Sequence, residues 1–154
     1  MTIYDELKKD HDQVQEVMTR IEEMSSRAST SKVKLFEEMK AALTAHLRAE
    51  EKVFYDAIKP EKSAHDIALE GYEEHHLADL LMREISRLPP NDEKWTAKFT
   101  VLKENVEHHV EEEEGEIWAK AREILDEAKA QELGEAFVSE KEKLLAKAGQ
   151  GASA

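Results

Sequence analysis

The sequence predicts an all-α fold, an antiparallel up-down four-helix bundle carrying a fifth, C-terminal amphipathic helix. Three observations predict it. Long stretches are rich in Glu, Lys, Ala and Leu, which are strong helix formers, and runs of β-branched residues are absent. Breaks at SSRASTS (Ser25 to Ser31), KPEKS around Pro60 and LPPND around Pro89 and Pro90 divide the chain into four such stretches. Within each stretch apolar residues recur at three- and four-residue spacing, as one buried helix face requires.

Each element follows in order. Leu7, Val14, Met18 and Ile21 mark the inner face of the first helix, and Met39, Leu43, Leu47 and Phe54 that of the second. Pro60 fits the first turn of the third helix, where its missing N–H costs nothing. Ala78, Leu81, Met82 and Ile85 line that helix. Asn91 is available as a cap for the fourth, which carries Phe99, Leu102, Val106, Val110 and Ile117. Short connections between long helices make neighbours antiparallel. The fifth helix, about residues 129–147, repeats apolar residues at Leu133, Phe137 and Leu144 and should pack across or beside the bundle, with the GASA tail fraying. One domain over residues 1–150 results, with the bundle at about 3–125.

Charge narrows the partners. With 35 acidic against 22 basic residues the formal net charge is −13, unsuited to nucleic-acid backbones or anionic membranes. No stretch approaches the ~20 apolar residues of a membrane span. Cysteine is absent, which excludes disulfides, iron–sulfur clusters and thiol chemistry. A soluble, cytoplasmic protein without nucleic-acid or membrane partners is expected.

The chain also repeats itself. DHDQVQEVMTRI from Asp10 matches EHHLADLLMREI from Glu74: His11 falls on His75, Val14 on Ala78, Met18 on Met82 and Ile21 on Ile85, each 64 residues apart. The second and fourth stretches match at an offset of 63, with Phe36 on Phe99, Leu43 on Val106, His46 on His109, Glu50 on Glu113 and Phe54 on Ile117. The chain reads as one helical hairpin followed by a second of the same design. Apolar positions align through packing alone. The ionisable ones have no such reason to.

Those ionisable residues propose the chemistry. His46 with Glu50, and His109 with Glu113, lie four apart and so share a helix face, each pair interrupting an apolar stripe. Burying an imidazole and a carboxylate costs several kcal/mol unless each finds a partner. Bound metal supplies one for both; a His–Glu hydrogen bond that merely fixes helix register is the plainer alternative. His11 lies among Leu7, Val14, Met18 and Ile21 and also faces inward. On the third helix, local phase around Leu77, Leu80 and Leu81 favours His76, whereas the repeat favours His75. The repeat likewise prefers His109 to His108, whose partner would be Glu112. His65 has no aligned counterpart and reads as a surface residue.

Four imidazoles and two carboxylates exceed what one metal takes. Two first-row ions joined by bridging carboxylates accommodate them, leaving room for oxo, hydroxo or water bridges and one small ligand. Mixed nitrogen–oxygen ligation suits iron or manganese, with zinc less natural at its lower coordination number. Tyr72, about a turn before His75, is placed to reach the metals or a bound oxygen species, or else is an ordinary buried tyrosine. Met18, Met39 and Met82 read as packing, and Glu51 and Glu114 as supporting or exposed residues. Gly115 interrupts the fourth helix and would permit a close helix approach.

This ordered set resembles the hemerythrin-like HHE cation-binding family: a lone histidine, then HxxxE, then a histidine, then a second HxxxE. The resemblance covers about residues 3–125 and implies metal ligation by His11, His46, Glu50, His75, His109 and Glu113. LGEAFVSEKEKL from Leu133 looks like the family's C-terminal extension. The resemblance implies two non-haem irons with an oxo or hydroxo bridge inside a four-helix bundle, ahead of manganese or zinc. It also implies a small partner, namely dioxygen, peroxide or nitric oxide. Oxygen-carrying hemerythrins have a second histidine one turn along the third helix; here that position is Asp79, which argues against reversible oxygen carriage. The expected function is binding, with or without reduction, of a small oxidant. The alternatives are an iron or oxygen sensing or storage module without turnover, and a structural bundle.

Overall fold

The computed structural model describes residues 1–24 and 29–153, and all its regular structure among them is helical. Helix α1 (Ile3–Glu23) opens with a capping box: the Thr2 hydroxyl accepts from the Asp5 backbone N–H, and the Asp5 carboxylate accepts from Thr2 N at 3.0 Å. Helix α2 (Ser29–Glu50) runs into a π-helical turn, Glu51–Tyr55, and a short α3 (Asp56–Ile58). After the Pro60 turn comes α4 (Lys62–Ser86), then α5 (Glu93–Glu112). A second π turn, Glu113–Ile117, leads into α6 (Trp118–Ile124), and α7 (Glu127–Ser153) closes the chain.

Four boundaries differ from the sequence reading. Pro60 lies in the turn before α4 rather than in its first turn, because α4 begins at Lys62. Asp92, not Asn91, caps α5: its carboxylate accepts the Lys94 N–H at 2.8 Å, a bond the adjacent asparagine does not make. Of the first break, Ser25–Ala28 lie outside the described residues, while Ser29 already begins α2. At the other end α7 stays helical to Ser153, and Ala154 lies outside the description.

Packing sets a polar layer between two apolar clusters. On one side Met18, Ile21, Phe36, Met82, Ile85, Trp95 and Phe99 are buried together. On the other are Ile3, Leu7, Phe54, Tyr55, Ile58, Trp118 and Phe137. The fifth long helix packs on α1 and α2, burying Leu133 and Phe137, with Leu144 partly buried against the same cluster. Gly134 permits that approach, because a Cβ there would stand 2.5 Å from the Met1 carbonyl oxygen.

Candidate metal centre

All six residues singled out by the repeat converge on the polar layer, and all are buried: His11, His46, Glu50, His75, His109 and Glu113. The neighbours of two of them point the other way. His76 is exposed, and His108 is exposed with its Nε2 3.1 Å from Glu112. The repeat thus predicted the side-chain direction where local apolar phase misled. Leu77, which suggested His76, is itself 47% exposed.

Two overlapping groups are capable of holding metal: Glu50, His75, His109 and Glu113 form one, and His11, His46 and Glu50 the other. Glu50 belongs to both. Its Oε1 lies 2.9 Å from His75 Nε2 and 3.9 Å from His109 Nε2, while Oε2 lies 3.5 Å from His46 Nε2. Glu113 splits in the same way, with Oε1 3.2 Å from His11 Nε2 and Oε2 3.0 Å from His109 Nε2. Each histidine pair therefore faces one oxygen of each carboxylate.

These atoms do not satisfy one another. Both Glu50 oxygens, Glu113 Oε1 and His11 Nε2 are buried without a hydrogen-bond partner among the described residues, despite their short separations. His75 Nε2 and His109 Nε2 face each other at 3.1 Å. Orphaned polar atoms cost about 1–3 kcal/mol apiece when neutral and more when charged. Several aimed at common points fit cations between them.

A ring of outer carboxylates fixes the imidazoles. The Nδ1–H groups of His11, His46, His75 and His109 donate to Glu114 (2.7 Å), Asp10 (2.9 Å), Glu51 (2.7 Å) and Glu74 (2.9 Å). Each Nε2 lone pair is thereby turned to the centre, the usual arrangement behind a metal-bound histidine. The repeat extends to this ring, since Asp10 aligns with Glu74 and Glu51 with Glu114. Glu51 and Glu114 were candidates as supporting residues. Asp10 and Glu74 were missed, although the same 64-residue offset links them.

Without metal, proton affinities follow this geometry. Burial pushes the His46 imidazole down, but its bond to Asp10 and the nearby Glu50 carboxylate prevail and hold it at about 9. Burial pushes the Glu50 carboxyl up, yet His109, His46 and His75 together hold it well below the usual carboxylate range. Asp10, opposed by burial, is held low by His46 and by Lys141 of α7, whose ammonium lies 2.8 Å from Oδ1.

The π turns bring in two residues that the sequence reading left out. The first turn starts immediately after Glu50 and the second at Glu113, and their i→i+5 bonding slows the helical rotation. The residue five positions on then returns towards the glutamate's face. From Glu50 that residue is Tyr55, and from Glu113 it is Trp118. The Tyr55 hydroxyl donates to Glu113 Oε2 at 2.8 Å, and its ring lies 5.4 Å from His75. Trp118 stacks on His11, with ring centroids 6.1 Å apart. Burial, then the charges of Glu113 and Glu50, raise the Tyr55 phenol well above its ordinary value. Gly71 makes room for it: a Cβ there would come within 2.8 Å of the Tyr55 ring.

Tyr72, which the sequence left either reaching the centre or as an ordinary buried tyrosine, does not reach it. Its hydroxyl donates to Asp56 Oδ1 at 2.9 Å, outside the centre, and Tyr55 occupies the inner place because the π turn rotates it there. Asp79 is also removed from the centre, paired with Arg48 at 2.8 Å. Gly115 serves no close helix contact, since a Cβ there would meet nothing within 4 Å.

Above the histidines lies a cavity of about 20 Å³, lined by His11, His46, His75, His109 and apolar groups including Val14, Leu43 and Val106. Val14, Leu43 and His46 also border an outer groove of about 450 Å³ between α1, α2 and α7. A cavity of this size holds about one water-sized molecule.

A four-helix bundle whose buried His/Glu clusters can bind metal defines a class of metal-binding bundle proteins. Within it, residues 2–121 match the model of the hemerythrin HHE cation binding domain, and the chain belongs to that family. The structure is similar to a hemerythrin HHE cation binding domain-containing protein of Mycobacterium kansasii. Their TM-score is 0.83 at 23% identity, covering 96% of this chain and 90% of that one. That likeness is one of fold. A protein of Nostoc sp. (strain PCC 7120) described as a DNA nickase is 25% identical over 149 residues, and the chain spans 42% of its length.

Proposed function

We propose that the protein is a non-haem di-iron protein that binds and reduces a small oxidant of the dioxygen, peroxide or nitric oxide type. His11 and His46 would hold one iron and His75 and His109 the other, with Glu50 and Glu113 bridging. The observation that carries this is the division of the two oxygens of each glutamate between two histidine pairs. A structural His–Glu network would instead saturate those oxygens with hydrogen bonds, and three of the four have none. When bound, iron would supply Lewis acidity and electrons one at a time.

The chain's own residues define the rest. Asp10, Glu51, Glu74 and Glu114 hold the four Nδ1 protons and so keep each Nε2 free. Tyr55 holds a proton at Glu113 Oε2. The small cavity favours diatomic or peroxide-sized ligands, since organic substrates need pockets of roughly 300–1,000 Å³. A sensing or storage role is the second reading. It is favoured by ligands drawn from four helices, which would couple metal binding to folding. The Nostoc relative's described nickase activity is not carried over, because a net charge of −13 opposes phosphate backbones.

Anaerobic iron reconstitution, elemental analysis and an optical spectrum after exposure to air or peroxide test the reading. About two irons per chain and near-ultraviolet bands of a bridged diferric centre are expected. Failure to take up any transition metal overturns it. A single iron per chain would point to a mononuclear site.

A further inference from the structure

Tyr72 has no place at the metal centre, yet its surroundings are specific. Its ring lies 5.5 Å from that of Tyr55, and Tyr55 in turn reaches Glu113 and the His75 ring. Two easily oxidised phenols thus lead from the centre towards the surface with no intervening residue. Each phenol also has somewhere to leave its proton. Tyr55 donates to Glu113 Oε2 at 2.8 Å and Tyr72 to Asp56 Oδ1 at 2.9 Å. Such a bond matters because a phenol that loses an electron becomes strongly acidic. Without a base in contact, the resulting cation is too unstable to form readily.

The opposite side of the centre provides the comparison. Trp118 stacks on His11, and Tyr4 lies 5.4 Å beyond it, so a chain of rings exists there as well. Among the described residues, however, neither the Trp118 Nε1–H nor the Tyr4 hydroxyl has a hydrogen-bond partner. Ring proximity is common to both sides. Proton acceptors are confined to one.

We propose that Tyr72 and Tyr55 form a one-electron relay into the metal centre, with Asp56 as the outer proton acceptor. This rests on the redox-active centre proposed above. Reduction of hydrogen peroxide to two water molecules consumes two electrons and two protons. In each relay step Tyr55 passes one electron inward and its phenolic proton to Glu113 Oε2. Tyr72 then reduces Tyr55, which recovers its proton from Glu113. The Tyr72 O–H bond breaks, its proton passes to Asp56 Oδ1, and a neutral tyrosyl radical remains. A one-electron reductant of the ascorbate or thiol class restores Tyr72, with the proton returned from Asp56. Two such turns supply the two electrons, and the two protons come from water, into which oxidation of the reductant releases an equal number. Asp56 is about half exposed, so its proton exchanges with solvent, and the Lys59 ammonium 2.9 Å away holds its carboxylate in place.

The test is rapid-freeze electron paramagnetic resonance of the iron-loaded protein after mixing with hydrogen peroxide, with iron content and optical spectrum followed in parallel. Wild type should show a tyrosyl signal that ascorbate removes. Y72F should keep its iron and its optical response to peroxide, yet lose the ascorbate-reducible signal. Asp56→Asn should form the signal more slowly. Tyr4→Phe should leave it intact. A signal unchanged in Y72F, or none in a wild type whose optical spectrum responds to peroxide, overturns the relay alone. No optical response in iron-loaded wild type overturns the proposed function and the relay with it.

Discussion

Asp10 immediately precedes one of the central histidines but holds another: its Oδ2 accepts the Nδ1–H of His46 on the neighbouring helix at 2.9 Å. Glu74 repeats this relationship, standing before His75 and holding His109, also at 2.9 Å. Removing such an outer carboxylate typically lowers metal affinity 10–100-fold. Asp10→Asn and Glu74→Gln should each weaken one metal position by about that factor. Competition with a chelator, followed optically, measures it. Unchanged affinity in both variants would make these contacts incidental.

The proposed bridging by the two glutamates makes a different prediction from ligation by an outer histidine. Glu50→Ala and Glu113→Ala should each abolish magnetic coupling between the irons. His11→Ala should remove one terminal ligand and weaken binding at a single position. Iron content and magnetic susceptibility of the three variants separate the cases. Normal coupling in both glutamate variants would assign the bridge to other groups.

His75→Ala should perturb iron binding strongly, whereas His76→Ala, at an exposed position, should change stability by no more than about 0.5 kcal/mol. The pair His109→Ala and His108→Ala should behave likewise. Anaerobic iron titration of the four variants decides. Loss of binding in His76→Ala with retention in His75→Ala would overturn the assignment.

Two glycines should respond in opposite senses. Gly71→Ala drives a methyl group into the Tyr55 ring and should destabilise by about 1–3 kcal/mol, the usual cost of overpacking. Gly115→Ala meets nothing, so it should be neutral or stabilising by up to about 1 kcal/mol. Urea unfolding compares them, and equal effects would contradict the packing described.

For the metal-free protein, stability should peak between mildly acidic and neutral pH. His46 is raised from 6.5 unfolded to about 9 folded. Its contribution, on the order of 3 kcal/mol, is therefore fully present below pH 6.5 and lost as pH rises through about 9. Glu50 and Asp10 are held low, so theirs is present above the unfolded carboxylate range and lost as pH falls through the folded values. Urea midpoints of chelator-stripped protein at several pH values test the sign. Rising stability from about pH 7 to pH 10 would refute it.

Most of the bundle was legible because its signals are periodic and local. Pro60 and the paired prolines at 89 and 90 mark real breaks, and apolar spacing separates the inner helix faces. The six central residues were legible because two hairpins carry them at near-equal offsets of 64 and 63 residues. The π turns were not legible. They begin at or directly after the buried glutamates, and no residue preference announces them. Tyr55 was missed for that reason: in an unbroken α-helix it would turn away from Glu50, which made Tyr72 look better placed. Asp10 and Glu74 were hidden differently. Each lies among many acidic residues on a largely solvated face, and only the cross-helix partner distinguishes it.

The pattern of outer bonds has a consequence for how the centre is assembled. Asp10 and Glu74 hold histidines of their own hairpins, but Glu51 and Glu114 reach across to the other, and each central glutamate meets histidines of both. A lone hairpin thus contains the residue types yet cannot complete either metal position. Two identical copies of one hairpin, docked about a twofold axis, would supply every one of these contacts from a sequence half as long. In the present chain the connection between α2 and α4 makes that pairing intramolecular. Its effective concentration no longer depends on how much protein is present. The centre can then be loaded at any dilution, and the two halves are free to differ, as Tyr55 and Trp118 already do.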